Sequence, residues 1–75
     1  MKNNYEFKVF CENIKAIRKQ KSLSKKEMAK RLGIGVKSLD SIENGIVPPR
    51  LSSAILFKIY YEFGFTPSEI FSNIK

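Results

Sequence analysis

The sequence contains no histidine and no tryptophan, and a single cysteine, Cys11. An intrachain disulfide is therefore impossible, and one thiol without a histidine cannot build a structural zinc site. The missing disulfide framework suits a reducing compartment. Long apolar runs are absent too. The longest, Ala54 to Phe57, falls far short of the roughly 20 residues of a membrane span. Lys2 is not followed by the apolar run of a secretory signal. These absences predict a soluble cytoplasmic protein without a membrane partner. Catalytic material is equally scarce. There is no glycine-rich phosphate loop, no metal-ligand spacing and no readable pair of acids. The expectation is a protein that is not an enzyme and that uses no cofactor, no metal and no small-molecule substrate.

The 75 residues suffice for one domain, 1–75, with a modest core. With disulfides and metals excluded, extra stability must come from close helix packing or a partner subunit. Lysine and arginine number 14 against seven acids, a net charge of +7. The excess is concentrated. Lys15, Arg18, Lys19, Lys21, Lys25, Lys26, Lys30, Arg31 and Lys37 face one acid, Glu27, over the same stretch. Such a block favours a polyanion. A solvated helix face or an anionic membrane surface would also accommodate it. Its place inside a helical segment, rather than in a tail, favours nucleic acid.

Apolar spacing predicts five helices and no strand. Phe7, Phe10, Ile14 and Ile17 recur at steps of three and four, which predicts a first helix over about Tyr5 to Gln20. Cys11 lies beside that stripe and reads as a small buried hydrophobe. Ser24 and Glu27 form a capping box that starts a second helix near Lys25. Met28, Ala29 and Leu32 are its buried face, and Gly33 ends it. The third helix, about Val36 to Glu43, buries Leu39 and Ile42 and stops at Asn44-Gly45, residue types that tolerate positive φ. Gly35 stands at its N-cap and brings no capping oxygen. A loop over residues 46–50 carries Pro48-Pro49. The fourth helix is expected from about Ser52 to Phe63, with Leu56, Ile59, Tyr60 and Phe63 inward, and Gly64 ends it. Thr66-Pro67-Ser68-Glu69 is a second capping box. It opens a fifth helix carrying Ile70, Phe71 and Ile74.

Two short helices joined by a glycine turn are the informative feature. A duplex major groove is about 12 Å wide and admits one helix. That helix must project from its domain with its far side packed. Ala29 permits close approach, Gly33 makes the turn, and Leu39 and Ile42 dock the projecting helix.

The strings F-C-E-N-I-K-A-I-R, L-S-K-K-E-M-A-K-R-L-G-I-G-V-K-S-L-D-S-I-E-N-G and L-F-K-I-Y-Y-E-F-G-F-T-P-S-E-I-F resemble the Cro/repressor, or XRE, helix-turn-helix family over about Phe10 to Phe71. The resemblance implies a compact all-α five-helix bundle of the lambda-repressor-like type, with the third helix as recognition helix. It implies double-stranded DNA as partner and transcriptional regulation as function, by a repressor dimer on a palindromic operator. It also implies an ion pair between Arg18 and Glu43 that presents Arg18 toward phosphate.

On the third helix Val36, Lys37, Asp40, Ser41 and Asn44 share the outward side. Val36, Lys37, Asp40 and Ser41 are the base-reading candidates. Lys37 suits guanine O6 and N7, Val36 a thymine methyl, and Ser41 either kind of base. Asp40 departs from the family pattern: it either accepts from cytosine N4 or offsets Lys37. Phosphate candidates are Lys25, Lys37, Asn44, Arg50 and Arg18. The fourth helix carries a second apolar stripe, Ala54, Phe57 and Tyr61. With Phe65, Phe71 and Ile74 it suggests a homodimer interface at Phe57, Tyr61, Phe65, Phe71 and Ile74. The alternative is a wider monomer core. A second functional reading is an antitoxin-like regulatory module that offers the same aromatic surface to a protein partner.

Overall fold

Helix-compatible spacing and local caps resolve into α1 (Tyr5–Gln20), α2 (Lys25–Leu32), α3 (Val36–Glu43), α4 (Ala54–Phe63) and α5 (Pro67–Ile70). The computed structural model describes residues 5–46 and 53–72, and among these it holds helices and turns but no strand. The result is an all-α bundle in which α1 packs on α3 and α5, while α2 packs on α3 and α4.

One core joins all five helices. Phe10, Ile14 and Ile17 of α1 meet Met28, Ala29 and Leu32 of α2, Leu39 and Ile42 of α3, Ile55 and Ile59 of α4, and Ile70 of α5. Cys11 is buried among them, as its place beside the α1 stripe implies, and Val9 is buried on the same helix. Fully burying each Leu or Ile contributes about 1.5–3 kcal/mol over leaving it exposed. Burial raises the Cys11 thiol to a pKa of about 11, with Glu12 adding to the shift.

The helix ends are closed by local hydrogen bonds. The Ser24 hydroxyl accepts from the Glu27 N–H at 3.0 Å, and Glu27 Oε1 accepts from the Ser24 N–H at 3.0 Å. The backbone bond from Ser24, followed by its hydroxyl, holds the Glu27 carboxyl below its usual pKa. Thr66 and Glu69 repeat the arrangement at α5. Gly33 closes α2 with φ +73°, and the Ile34 N–H returns to the Ala29 carbonyl at 3.0 Å. At the end of α3 the left-handed residue is Gly45, whereas Asn44 has φ −94°. At the end of α1 it is Ser22, a non-glycine with φ +56°.

Two expectations change. Tyr60, expected inward, is 51 % exposed, and Ile55 is buried in α4 together with Ile59. The inward face of α4 is thus the Ile55–Ile59 line with half-buried Leu56 and Phe63 beside it. A position one residue beyond Ile59 is rotated toward solvent, where Tyr60 meets Tyr61 edge to face. The described part of α4 begins at Ala54, and Ser52 and the Pro48-Pro49 loop lie outside the described residues. The fifth helix is one turn, not a longer segment carrying Phe71. Phe71 caps it and stacks on Phe10 with ring centroids 5.1 Å apart.

Asn13 is the one fully buried polar residue of the described core. Its amide donates to the carbonyls of Ile70 at 2.8 Å and Ser72 at 2.6 Å, tying α1 to the end of α5. Both amide N–H donors thus find acceptors, while the buried Asn13 Oδ1 accepts no hydrogen bond among the described residues.

Candidate nucleic-acid interface

The α2–turn–α3 unit presents one face of α3 and anchors the other. Leu39 and Ile42 have no exposed surface. Val36, Lys37 and Asn44 are exposed, and Asp40 and Ser41 are half-buried. The base-reading candidates therefore share the outward side of a helix whose inward side is locked in the core. Gly35 at the N-cap makes no side-chain cap.

Charge on that face is arranged differently from the sequence reading. Asp40 does not pair with Lys37. Its Oδ1 accepts from Lys25 Nζ, across the turn from the first residue of α2. Asn44 Nδ2 donates to the Asp40 carbonyl at 2.9 Å and lies 3.5 Å from Asp40 Oδ2. Lys25 is thus already partnered, and the Asn44 amide is directed at α3. Lys37 has no acidic partner among the described residues. The helix-turn-helix crossing explains the switch of partner: it brings the start of α2 beside the middle of α3, close enough for Lys25 to reach Asp40.

Arg18 and Glu43 meet. Arg18 Nε donates to Glu43 Oε2 at 2.7 Å, and Nη2 donates to Oε1 at 3.1 Å. Arg18 Nη1 donates to the Leu23 carbonyl at 3.2 Å. The side chains are 15 % and 3 % exposed. The hydrogen bond to Glu43 raises the Arg18 pKa further, against the opposing effect of burial. Three of the five guanidinium N–H donors therefore face inward, so Arg18 offers a phosphate less than expected.

The basic block divides. Arg18 pairs with Glu43, Lys25 with Asp40, and Arg31 with Glu62 of α4 at 3.5 Å. Lys15, Lys19, Lys21, Lys26, Lys30 and Lys37 are exposed without an acidic partner among the described residues. Arg50 lies outside the described residues.

The C-terminal candidates also divide. Phe57 and Tyr61 are 63 % and 78 % exposed. Phe57 and Tyr60, with Ser53, Leu56, Thr66 and Pro67, line an apolar groove of about 420 Å³. Phe65 and Phe71, expected in the outward set, are half-buried against this chain's own core, because the Thr66 capping box turns the chain back across Phe10. Ile74 lies outside the described residues.

Sequence reasoning missed Asn13 and the Lys25–Asp40 and Arg31–Glu62 pairs. Asn13 had a signal, since it falls between Phe10 and Ile17 on the apolar side of α1. The pairs had none beyond opposite charge, because each depends on how two helices cross.

Among the described residues no helix is long and apolar enough to cross a membrane, and no three metal-binding side chains gather. No curated protein and no solved structure matches the chain. A family described as a helix-turn-helix domain matches residues 11–75, a span that includes the α2–turn–α3 unit and its packing against α1 and α4. With its turn at Gly33 and its projecting α3, the chain belongs to the helix-turn-helix domain family.

Proposed function

We propose that this protein binds a specific double-stranded DNA sequence through α3 and regulates transcription as a homodimeric repressor of the Cro/repressor type. The observation that carries the reading is the split of α3 into a buried side, Leu39 and Ile42, and an outward side bearing Val36, Lys37 and Ser41. Lys37, free of acidic partners among the described residues, is the guanine-reading candidate. Val36 offers an apolar contact to a thymine methyl, and Ser41 a hydroxyl to either kind of base. Exposed lysines around the unit supply the attraction to phosphate that dominates affinity.

The dimer uses the face of α4 that bears Phe57, Tyr60 and Tyr61. Three exposed aromatics beside an apolar groove make a patch of the kind that protein contacts cover. A two-fold dimer through α4 sets two copies of α3 about 34 Å apart on a roughly palindromic operator.

Fluorescence anisotropy on the DNA upstream of the protein's own gene, beside a scrambled duplex across a salt series, tests the reading. A preference of about 10³ or more for the native site supports a specific regulator. Weak binding to both duplexes transfers the aromatic face to the second reading, a regulatory module with a protein partner.

A further inference from the structure

The Lys25–Asp40 pair sits where both partners meet DNA if α3 enters a major groove, so the inference rests on that reading. A carboxylate on such a face is repelled by phosphate unless a cation covers it. Lys25 provides the cover, and Asn44 approaches the second carboxylate oxygen. The carboxylate is thereby held on the outward side of α3, in line with Lys37 and Ser41. Both side chains are about half exposed, so neither is sealed away from a ligand. An exposed pair of this kind is weak enough for a phosphate to draw the lysine off. If it does, Asp40 is left bare against a polyanion unless a base supplies a donor. In the major groove that donor is the exocyclic amine at cytosine N4.

We propose that Lys25 and Asp40 form a coupled specificity device, in which Lys25 transfers from Asp40 to a backbone phosphate only where a cytosine amine takes its place on the carboxylate. On other sequences Lys25 stays on Asp40, and one phosphate contact is withheld. Specificity then comes from a conditional phosphate contact as well as from the base contact itself. Asp40, which reads as a defect on a DNA-facing helix, becomes the residue that penalises wrong sites.

The test uses the full chain and a duplex recovered with the wild-type protein from a random-sequence pool. Anisotropy is followed on that duplex and on a scrambled one across a salt series. The proteins are wild type, Asp40→Ala, Asp40→Asn, Lys25→Ala and the Lys25→Ala/Asp40→Ala double variant, with helicity checked by circular dichroism. Asp40→Asn keeps the shape of the side chain and covers a failure of Asp40→Ala to fold. Removing the Asp40 charge is expected to free Lys25 on all DNA. The salt slope on scrambled DNA then steepens by about one. Discrimination between the duplexes falls about tenfold, and the preference at one C·G pair is lost. Lys25→Ala is expected to flatten the slope on the selected duplex alone, and the double variant to restore the scrambled-duplex slope to the wild-type value. Equal tightening on both duplexes at unchanged slopes would make Asp40 a general repulsive charge and overturn the proposal. So would a Lys25→Ala loss of the same size on both. If wild type binds no duplex, the DNA reading itself fails and the proposal falls with it.

Discussion

The guanidinium of Arg18, in the last turn of α1, grips both carboxylate oxygens of Glu43, the last residue of α3, at 2.7 and 3.1 Å. The pair fixes the C-terminal end of α3 to α1, while Leu39 and Ile42 fix its inward side. Because Glu43 is almost fully buried, removing Arg18 strands a charge away from water. Arg18→Ala is expected to destabilise the fold by about 2–4 kcal/mol. Arg18→Lys is expected to recover only part of this, since an ammonium cannot reproduce the two-pronged contact. Denaturant melts of both variants, of Glu43→Gln and of Arg18→Ala/Glu43→Gln check the pair. Additive losses in the double variant would mean that the two residues act separately.

Cys11 gives a pH signature. It is 3 % exposed, and its pKa is pushed from 9.0 to about 11, first by burial and then by Glu12. Below about pH 9 the thiol is protonated in both folded and unfolded chains, so stability is at its full value. Between about pH 9 and 11 the unfolded chain loses the proton and the folded chain keeps it. Stability should fall across that window by roughly 2–3 kcal/mol and lose nothing more above it. Lysines and tyrosines titrate nearby, so the measurement is the difference between wild type and Cys11→Ala in melts from pH 8 to 11. Parallel curves would contradict the assignment. At neutral pH the folded thiol is expected to resist alkylating reagents that label the unfolded chain.

Ser22 holds a left-handed conformation, φ +56°, that glycine adopts without a Cβ clash. The turn is needed there, because the Leu23 N–H returns to the Arg18 carbonyl and the chain must reverse into the Ser24 cap. Ser22→Gly is therefore expected to stabilise the protein by about 1 kcal/mol, a gain measurable as a higher denaturation midpoint. A loss would show that the serine hydroxyl contributes more than the strain removes.

Local and tertiary features differ in how far the sequence discloses them. The capping boxes at Ser24–Glu27 and Thr66–Glu69 are closed by bonds that span three residues, so the local string determines them. Leu39 and Ile42 are legible for a similar reason, since only one apolar stripe exists on α3. On α4 two apolar stripes overlap. Which one turns inward is decided by α2 and the core, not by α4, so apolar spacing alone does not reveal that Tyr60 faces solvent. The Asn13 bonds to Ile70 and Ser72 join positions 57 and 59 apart in sequence. Lys25 and Asp40 are 15 apart and meet across the helix-turn-helix crossing. Partners chosen by tertiary geometry leave no local trace, so the outward face of α3 was readable while its charge pairing was not.

Lys37 is the exposed cation of that face without an acidic partner among the described residues. Lys37→Ala is expected to weaken binding to the preferred duplex by about 1–3 kcal/mol and to relax preference at one base position. The check is a set of duplexes substituted one position at a time. An equal loss on every duplex would make Lys37 a phosphate contact, and an unchanged affinity would remove it from the interface.

Phe57 and Tyr61 give the sharpest test of assembly, because both are exposed and neither contributes to the core cluster. A glutamate at either position can stay solvated in a monomer, so the fold is expected to survive. In a dimer the same glutamate is buried against a second apolar face, where an unpaired charge is strongly disfavoured. Phe57→Glu and Tyr61→Glu are therefore expected to sediment as monomers with wild-type helicity. On a two-site operator they are expected to lose affinity steeply, since each half-site is then bound alone. A variant that stays dimeric would move the interface off α4. A wild-type protein that is itself monomeric, with unaltered DNA binding in both variants, would instead reserve the aromatic face for a different protein.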